Sequence, residues 1–402
     1  MNLKIWLLTL LLIFLQLIAP LPTFATTESP LTVLEKIFTE ELQPEWFTPT
    51  FLRQIPLPQI ENIINNIEGT LGEIQEIQPD ETNYRIIFER GTVPTKIKLN
   101  DNNQIELLLF LPPTLNSISL TEAIAKFRSF PGEVSFLVQK DNQVIAELNS
   151  NQSLAVGSAF KLAVLATLQQ EIAAGKSNWD DVVKLQPEWK SLPSGLLQTW
   201  PDYTPLTLQT LATLMISISD NTATDSLIQI LGKESIETIS PRNQPFLTTR
   251  EAFILKNPQN QQLLSRYRQG NITEKRQLLR EISQASLPDV TLFNGNPVAL
   301  DVEWFFSSQE LCDLISSVAE LPIMGINPGV VNPQNWQRVA FKGGSEPGVL
   351  NLTTWLESKE GNTYCVVATI NDTAPIDEAG FVSIYSSAIA GLEETISHSS
   401  DK

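Results

Sequence analysis

The stretch Val156-Gly157-Ser158-Ala159-Phe160-Lys161-Leu162-Ala163-Val164-Leu165-Ala166 decides the reading of the chain. A glycine and a serine precede an apolar run whose spacing predicts a helix. Ser158 falls at the helix start, and Lys161, three residues on, lies on the same face one turn along. The helix N-terminus favours negative charge developing at Ser158. Burial among Phe160, Leu162, Ala163 and Leu165 would lower the Lys161 amine towards a usable base. Alone the spacing says little. It recurs at Ser399 and Lys402 in the tail, and a helix cap with a surface lysine is its plain reading.

An absence gives the pair weight. The only histidine is His398, in a polar tail beside Ser399 and Ser400. A Ser-His-Asp triad needs a histidine held in a structured site, so a serine nucleophile here must find another base, and lysine is the usual alternative. No spacing of metal ligands is present, and no cofactor motif. Two more short motifs follow. Ser219-Asp220-Asn221 breaks one helical run (Leu208, Leu211, Leu214, Ile216) and opens another (Ala223, Leu227, Ile228). Taken alone it reads as a helix cap. Lys342-Gly343-Gly344 ends a strand predicted over Arg338–Phe341 and alone reads as a turn.

Outward from these motifs, residues 120–396 form a second domain. It opens with a helix at Leu120–Arg128 and a hairpin turning at Asp141-Asn142, with Val134, Phe136 and Val138 alternating before the turn. A mostly helical middle (158–320) follows, then strands at Arg338–Phe341, Val349–Leu356 and Thr363–Ile370, and a helix at Asp377–Ile396. Strands at both ends with helices between imply one sheet built from distant segments. Residues 28–112 read as a small α+β domain, with helical spacing at Leu31–Phe38 and Ile60–Ile67. Strand-like runs come after it at Glu73–Ile77, Tyr84–Glu89, Lys96–Leu99 and Ile105–Leu111. Residues 113–119 read as a linker and 397–402 as a tail.

The chain has 402 residues and a net charge of -18, which opposes docking on nucleic acid or on an anionic membrane. Lys4, the apolar run Ile5–Ile18 and Thr23-Phe24-Ala25 have the form of a signal peptide over residues 1–25, cleaved after Ala25. No cysteine follows that run, so a lipoprotein anchor is excluded; the mature chain is expected to be exported and free of the membrane, with an uncleaved anchor as the alternative. Export would permit a disulfide. Cys312 and Cys365, the only cysteines, both have apolar neighbours, which favours two buried free thiols.

In this order, Ser158-Ala159-Phe160-Lys161, Ser219-Asp220-Asn221 and Lys342-Gly343-Gly344 resemble the penicillin-recognising serine enzymes, class A β-lactamases most closely. The order of elements over 120–396 resembles that family too. The resemblance implies an α+β fold, with an antiparallel sheet from both chain ends and a helical subdomain. It implies Ser158 as acylated nucleophile, Lys161 as its base and Ser219 as proton shuttle. Asn221 would bind a substrate amide, and Lys342 would face a substrate carboxylate. The oxyanion hole would be the backbone N–H groups of Ser158 and Ser345, with the edge strand at Gly344 and Ser345 lying against the substrate.

Two departures matter. Gly343 stands where most of the family has threonine, with Ser345 as the nearest substitute hydroxyl. The family's Glu-x-x-Leu-Asn loop, which positions the deacylating water, has no clear counterpart. Glu251 is the one nearby acid, and Leu255 stands where the asparagine is needed. A slow-deacylating hydrolase of β-lactams or related esters and amides follows. A D-Ala-D-Ala carboxypeptidase or transpeptidase and a non-catalytic binding protein are the alternatives. The two-domain layout, Glu303-Trp304-Phe305-Phe306 and Pro347-Gly348 resemble exported serine hydrolases whose small first domain is cystatin-like or steroid-isomerase-like. That first domain reads as a substrate gate or structural partner.

Overall fold

A computed structural model describes residues 29–80, 83–111, 113–283, 285–293 and 295–400; the signal-like segment lies outside them. The chain divides into two compact units between Thr114 and Leu115.

In the first unit, helices Pro30–Thr39, Pro49–Gln54 and Leu57–Leu71 precede strands Ile74–Asp80, Asn83–Phe88, Gly91–Leu99 and Ile105–Phe110. The strands pair in sequence order, each antiparallel to the next. Leu34, Ile37, Ile60 and Ile64 are buried on the helices, and Ile86, Phe88, Val93 and Ile97 on the strands. The short helix Pro49–Gln54 was not expected. Thr48 caps it by accepting from the Phe51 N–H, with proline at the first helical position, but six residues are too few for an apolar period to show. The third strand begins at Gly91, earlier than expected, and includes Pro94, a residue that lacks the N–H of a ladder donor.

In the second unit, Leu120–Arg128 is a helix as expected, and the terminal helix runs Glu378–Ser400. Five strands lie side by side in the order Arg338–Glu346, Val349–Glu357, Thr363–Asn371, Glu133–Lys140 and Gln143–Leu148. All are antiparallel, so the sheet does join the two ends of this unit. Helices cover both faces. Val134, Phe136, Val138, Val366 and Ala368 pack with Phe127, Phe381 and Tyr385 of the two flanking helices. Leu137, Cys365 and Val367 point the other way, into a core shared with the helical middle. This alternation is the two-residue period of a strand with both faces buried.

Two expectations are corrected here. Cys312, on the helix Ser308–Val318, is bonded to Cys365 on the central strand, so neither thiol is free. Apolar neighbours mark a buried sulfur without saying whether it is paired. Lys342-Gly343-Gly344 does not end its strand. The strand runs on to Glu346 and pairs with Val349–Glu357 along its length.

Candidate active site

The helix expected from the first motif is Lys161–Ala173, and Ser158 sits just before it in a tight turn, Gly157–Phe160. Three contacts hold that turn in place. The Asn371 side chain accepts from the Ala155 N–H at 2.8 Å and donates to the Ala155 carbonyl at 2.9 Å, acting as a short extra strand. The Val156 N–H donates to the Trp304 carbonyl at 3.0 Å, and the Trp304 ring stacks on Phe160 with centroids 3.8 Å apart. Opposite lies Gly344. A Cβ there would come within 2.4 Å of the Ser158 nitrogen and 2.1 Å of the Val156 carbonyl. Only glycine lets this strand approach so closely, and the approach carries the Ser345 backbone alongside Ser158.

Lys161 is fully buried. Its Nζ donates to the Ser219 carbonyl at 2.6 Å and to Asn221 Oδ1 at 2.7 Å, and lies 3.0 Å from Ser219 Oγ. Burial holds this amine well below the ordinary lysine value. The nearby Lys342 charge adds to the effect, while Asp225 and Asp220 oppose it. Lys342, also buried, reaches Ser219 Oγ from the strand side at 3.1 Å and donates to the Gly343 carbonyl at 2.6 Å. Burial brings its amine down to about 7.

The loop between helices Leu208–Ser217 and Asn221–Leu231 holds Ser219 with φ +57, a left-handed backbone unusual for serine. Asp220 fixes that loop. Its carboxylate caps the second helix at the Ala223 N–H (2.8 Å) and also takes the N–H groups of Leu196 (2.7 Å) and Leu197 (2.9 Å). The capping role expected of the motif thus belongs to Asp220, leaving the side chains of Ser219 and Asn221 for Lys161. Neither Asn371 nor Ser194, which donates to the Ser219 carbonyl at 2.8 Å, was singled out in the sequence. Each lies far along the chain from the motif it supports.

Two cavities open at Ser158. One runs towards Lys342 and includes Ser219 and Phe341. A Cβ on Gly343 would lie 2.9 Å from the Phe341 ring, so that ring fills the space a threonine would need. The Ser345 hydroxyl lies 3.2 Å from Glu378. The second cavity, of about 260 Å³, runs towards Lys256, Glu303 and Glu346. Glu251 lines neither cavity. Both its oxygens accept from Lys233 Nζ, at 2.6 and 2.5 Å, and it closes a capping box with Thr248. Its geometry is that of a helix-terminal acid and does not fit a deacylating base.

Residues 119–278 match the model of the β-lactamase enzyme family. No curated protein matches the chain. Similar solved structures include a β-lactamase from Sphaerobacter thermophilus DSM 20745, at 20% identity and TM-score 0.49, covering 69% of this chain and 97% of that one. A protein named PBP-A is similar at 14% identity and TM-score 0.47, covering 70% and 98%. A class A β-lactamase representative from Bacteroides cellulosilyticus DSM 14838 is similar at 16% identity and TM-score 0.47, covering 69% and 100%. With its two-ended antiparallel sheet, its helical middle and this family match, the second unit has the α+β fold of the penicillin-recognising serine enzymes, the fold of the class A β-lactamases.

Proposed function

We propose that the chain is an exported serine acyl hydrolase that acylates Ser158 with β-lactams or related esters and amides, then deacylates slowly. One observation carries this reading. A wholly buried lysine, one turn from a half-buried serine, has only uncharged groups in contact with its amine. Burial without a charged partner shifts such an amine towards its neutral form, the form that can take a proton.

In the reading, the Ser158 hydroxyl proton passes to the Lys161 lone pair as Oγ bonds the substrate carbonyl carbon. The carbonyl oxygen takes the negative charge and is met by the N–H groups of Ser158 and Ser345. Collapse of that intermediate breaks the bond to the leaving group, which takes its proton from Ser219 Oγ. Ser219 is replenished from Lys161, with Lys342 supplying positive charge on its other side. The water-activating step lacks the family's loop acid, since Glu251 is tied to Lys233, and this supports slow deacylation. Asn221 and the strand at Gly344 and Ser345 would orient the acyl amide. Lys342 would face a substrate carboxylate. The Cys312–Cys365 disulfide supports export.

Intact-protein mass spectrometry with a penicillin, followed from minutes to hours beside Ser158→Ala, tests the reading. A persistent adduct absent from the mutant is expected. Release of D-alanine from a cell-wall peptide would favour the carboxypeptidase instead. Lack of any adduct overturns the β-lactam reading.

A further inference from the structure

The cavity running from Ser158 towards Lys256 ends in an unusual set of charges. Lys256 and Glu303 are buried, and the Lys256 Nζ donates to Glu303 Oε1 and, at 2.6 Å, to Glu346 Oε1. Burial works against the Lys256 charge, but Glu303 and Glu346 outweigh it and hold the amine above its ordinary value. One ammonium therefore faces two acids, and if both were ionised one surplus negative charge would sit in a place where charge is costly. The second oxygen of Glu303 is buried and meets no donor among the described residues. Burial, with Glu346 adding to it, pushes the Glu303 carboxyl well up despite Lys256. Without a further cation the surplus charge is met by a proton on Glu303, and a positive or N–H group brought by a ligand would take that proton's place.

Its surroundings say what could supply that group. Glu303 is placed close to the nucleophile, because Phe305 and Phe306 pair with Ala155 and Leu154 just before the Ser158 turn. Glu346 directly follows Ser345, and its side chain is 24% exposed, so it is the member of the cluster open to a ligand. The walls between Ser158 and the acids are flat and apolar. Phe253 and Phe293 meet edge-on at 5.1 Å, and Trp304 lies on Phe160. We propose that this cavity receives the acyl side group of the substrate and selects side groups carrying an ammonium or N–H donor on a flat apolar body. The inference rests on the acyl-hydrolase reading above and names the substrate class within it.

Two penicillins test it, because benzylpenicillin and ampicillin share a phenylacetyl side group and differ by one amino group. The rates at which each acylates the full-length mature protein are compared by intact mass. The amino compound should acylate about tenfold faster. In Glu346→Gln and in Glu303→Gln that ratio should fall to about one. Each variant leaves one ammonium with one carboxylate, a balanced pair, and thermal melting followed by circular dichroism confirms that it is folded. A ratio of one or below in the native protein overturns the inference while leaving the hydrolase reading standing. So does a ratio unchanged in both variants. Labelling by neither penicillin overturns the reading on which the inference rests, and the inference with it.

Discussion

Lys161 and Lys256 are both buried, one a turn from Ser158 and one along the cavity that opens at it, yet their surroundings push their amines in opposite directions. Lys161 touches a carbonyl, a hydroxyl and an amide oxygen, and burial lowers its amine. Lys256 touches two carboxylates, and these outweigh burial. Loss of water alone therefore does not decide what a buried lysine is. The charge of the groups it touches does, so one buried lysine is shifted towards the neutral form and the other is held as a fixed cation.

The contrast can be broken by substitution. If Lys161 is the base, as proposed, Lys161→Met should lower acylation of Ser158 by about 10²–10⁴-fold, read by single-turnover mass spectrometry. Its stability cost should stay near 1–3 kcal/mol, the cost of leaving the Ser219 carbonyl and Asn221 amide oxygen unpaired. Lys256→Met should show the reverse emphasis. It strands the buried Glu303 and the half-buried Glu346 and should cost about 3–5 kcal/mol, seen as a lower urea midpoint. Equal stability losses in the two variants would remove the distinction.

Lys342 sharpens the comparison. Its amine, brought to about 7 by burial, is charged below that pH and neutral above it. Second-order acylation by a carboxylate-bearing substrate, divided by that of a carboxylate-free ester, cancels the titration of Lys161. The quotient should fall as pH rises through about 7, by up to tenfold per unit. Lys342→Arg should flatten it, because guanidinium stays charged.

How far the sequence could be read depended on how locally each feature is encoded. Ser158 and Lys161 share one helix turn, and Ser219 and Asn221 one loop, so a few adjacent letters show each pair. The sheet's two-ended assembly was legible from alternating residues such as Val134, Phe136 and Val138. The Lys256, Glu303 and Glu346 cluster was not, because its members meet only after three separate segments pack. The disulfide was misread since apolar neighbours suit a paired sulfur as well as a free one. Glu251 carried a better signal than its nearness to the motif: Thr248 three residues before it spells a capping box, which accounts for its placement.

The order of strands in the sheet has a consequence for when the protein can react. Val138 pairs with Val366, and Ser158 borrows its neighbouring backbone from Gly344 and Ser345. The backbone that lies against Ser158 and the Lys342 amine are thus supplied by a strand more than 180 residues further along the chain. In the proposed reading, a chain that has not closed this sheet would hold a serine without its partners, and acylation would report completion of the fold.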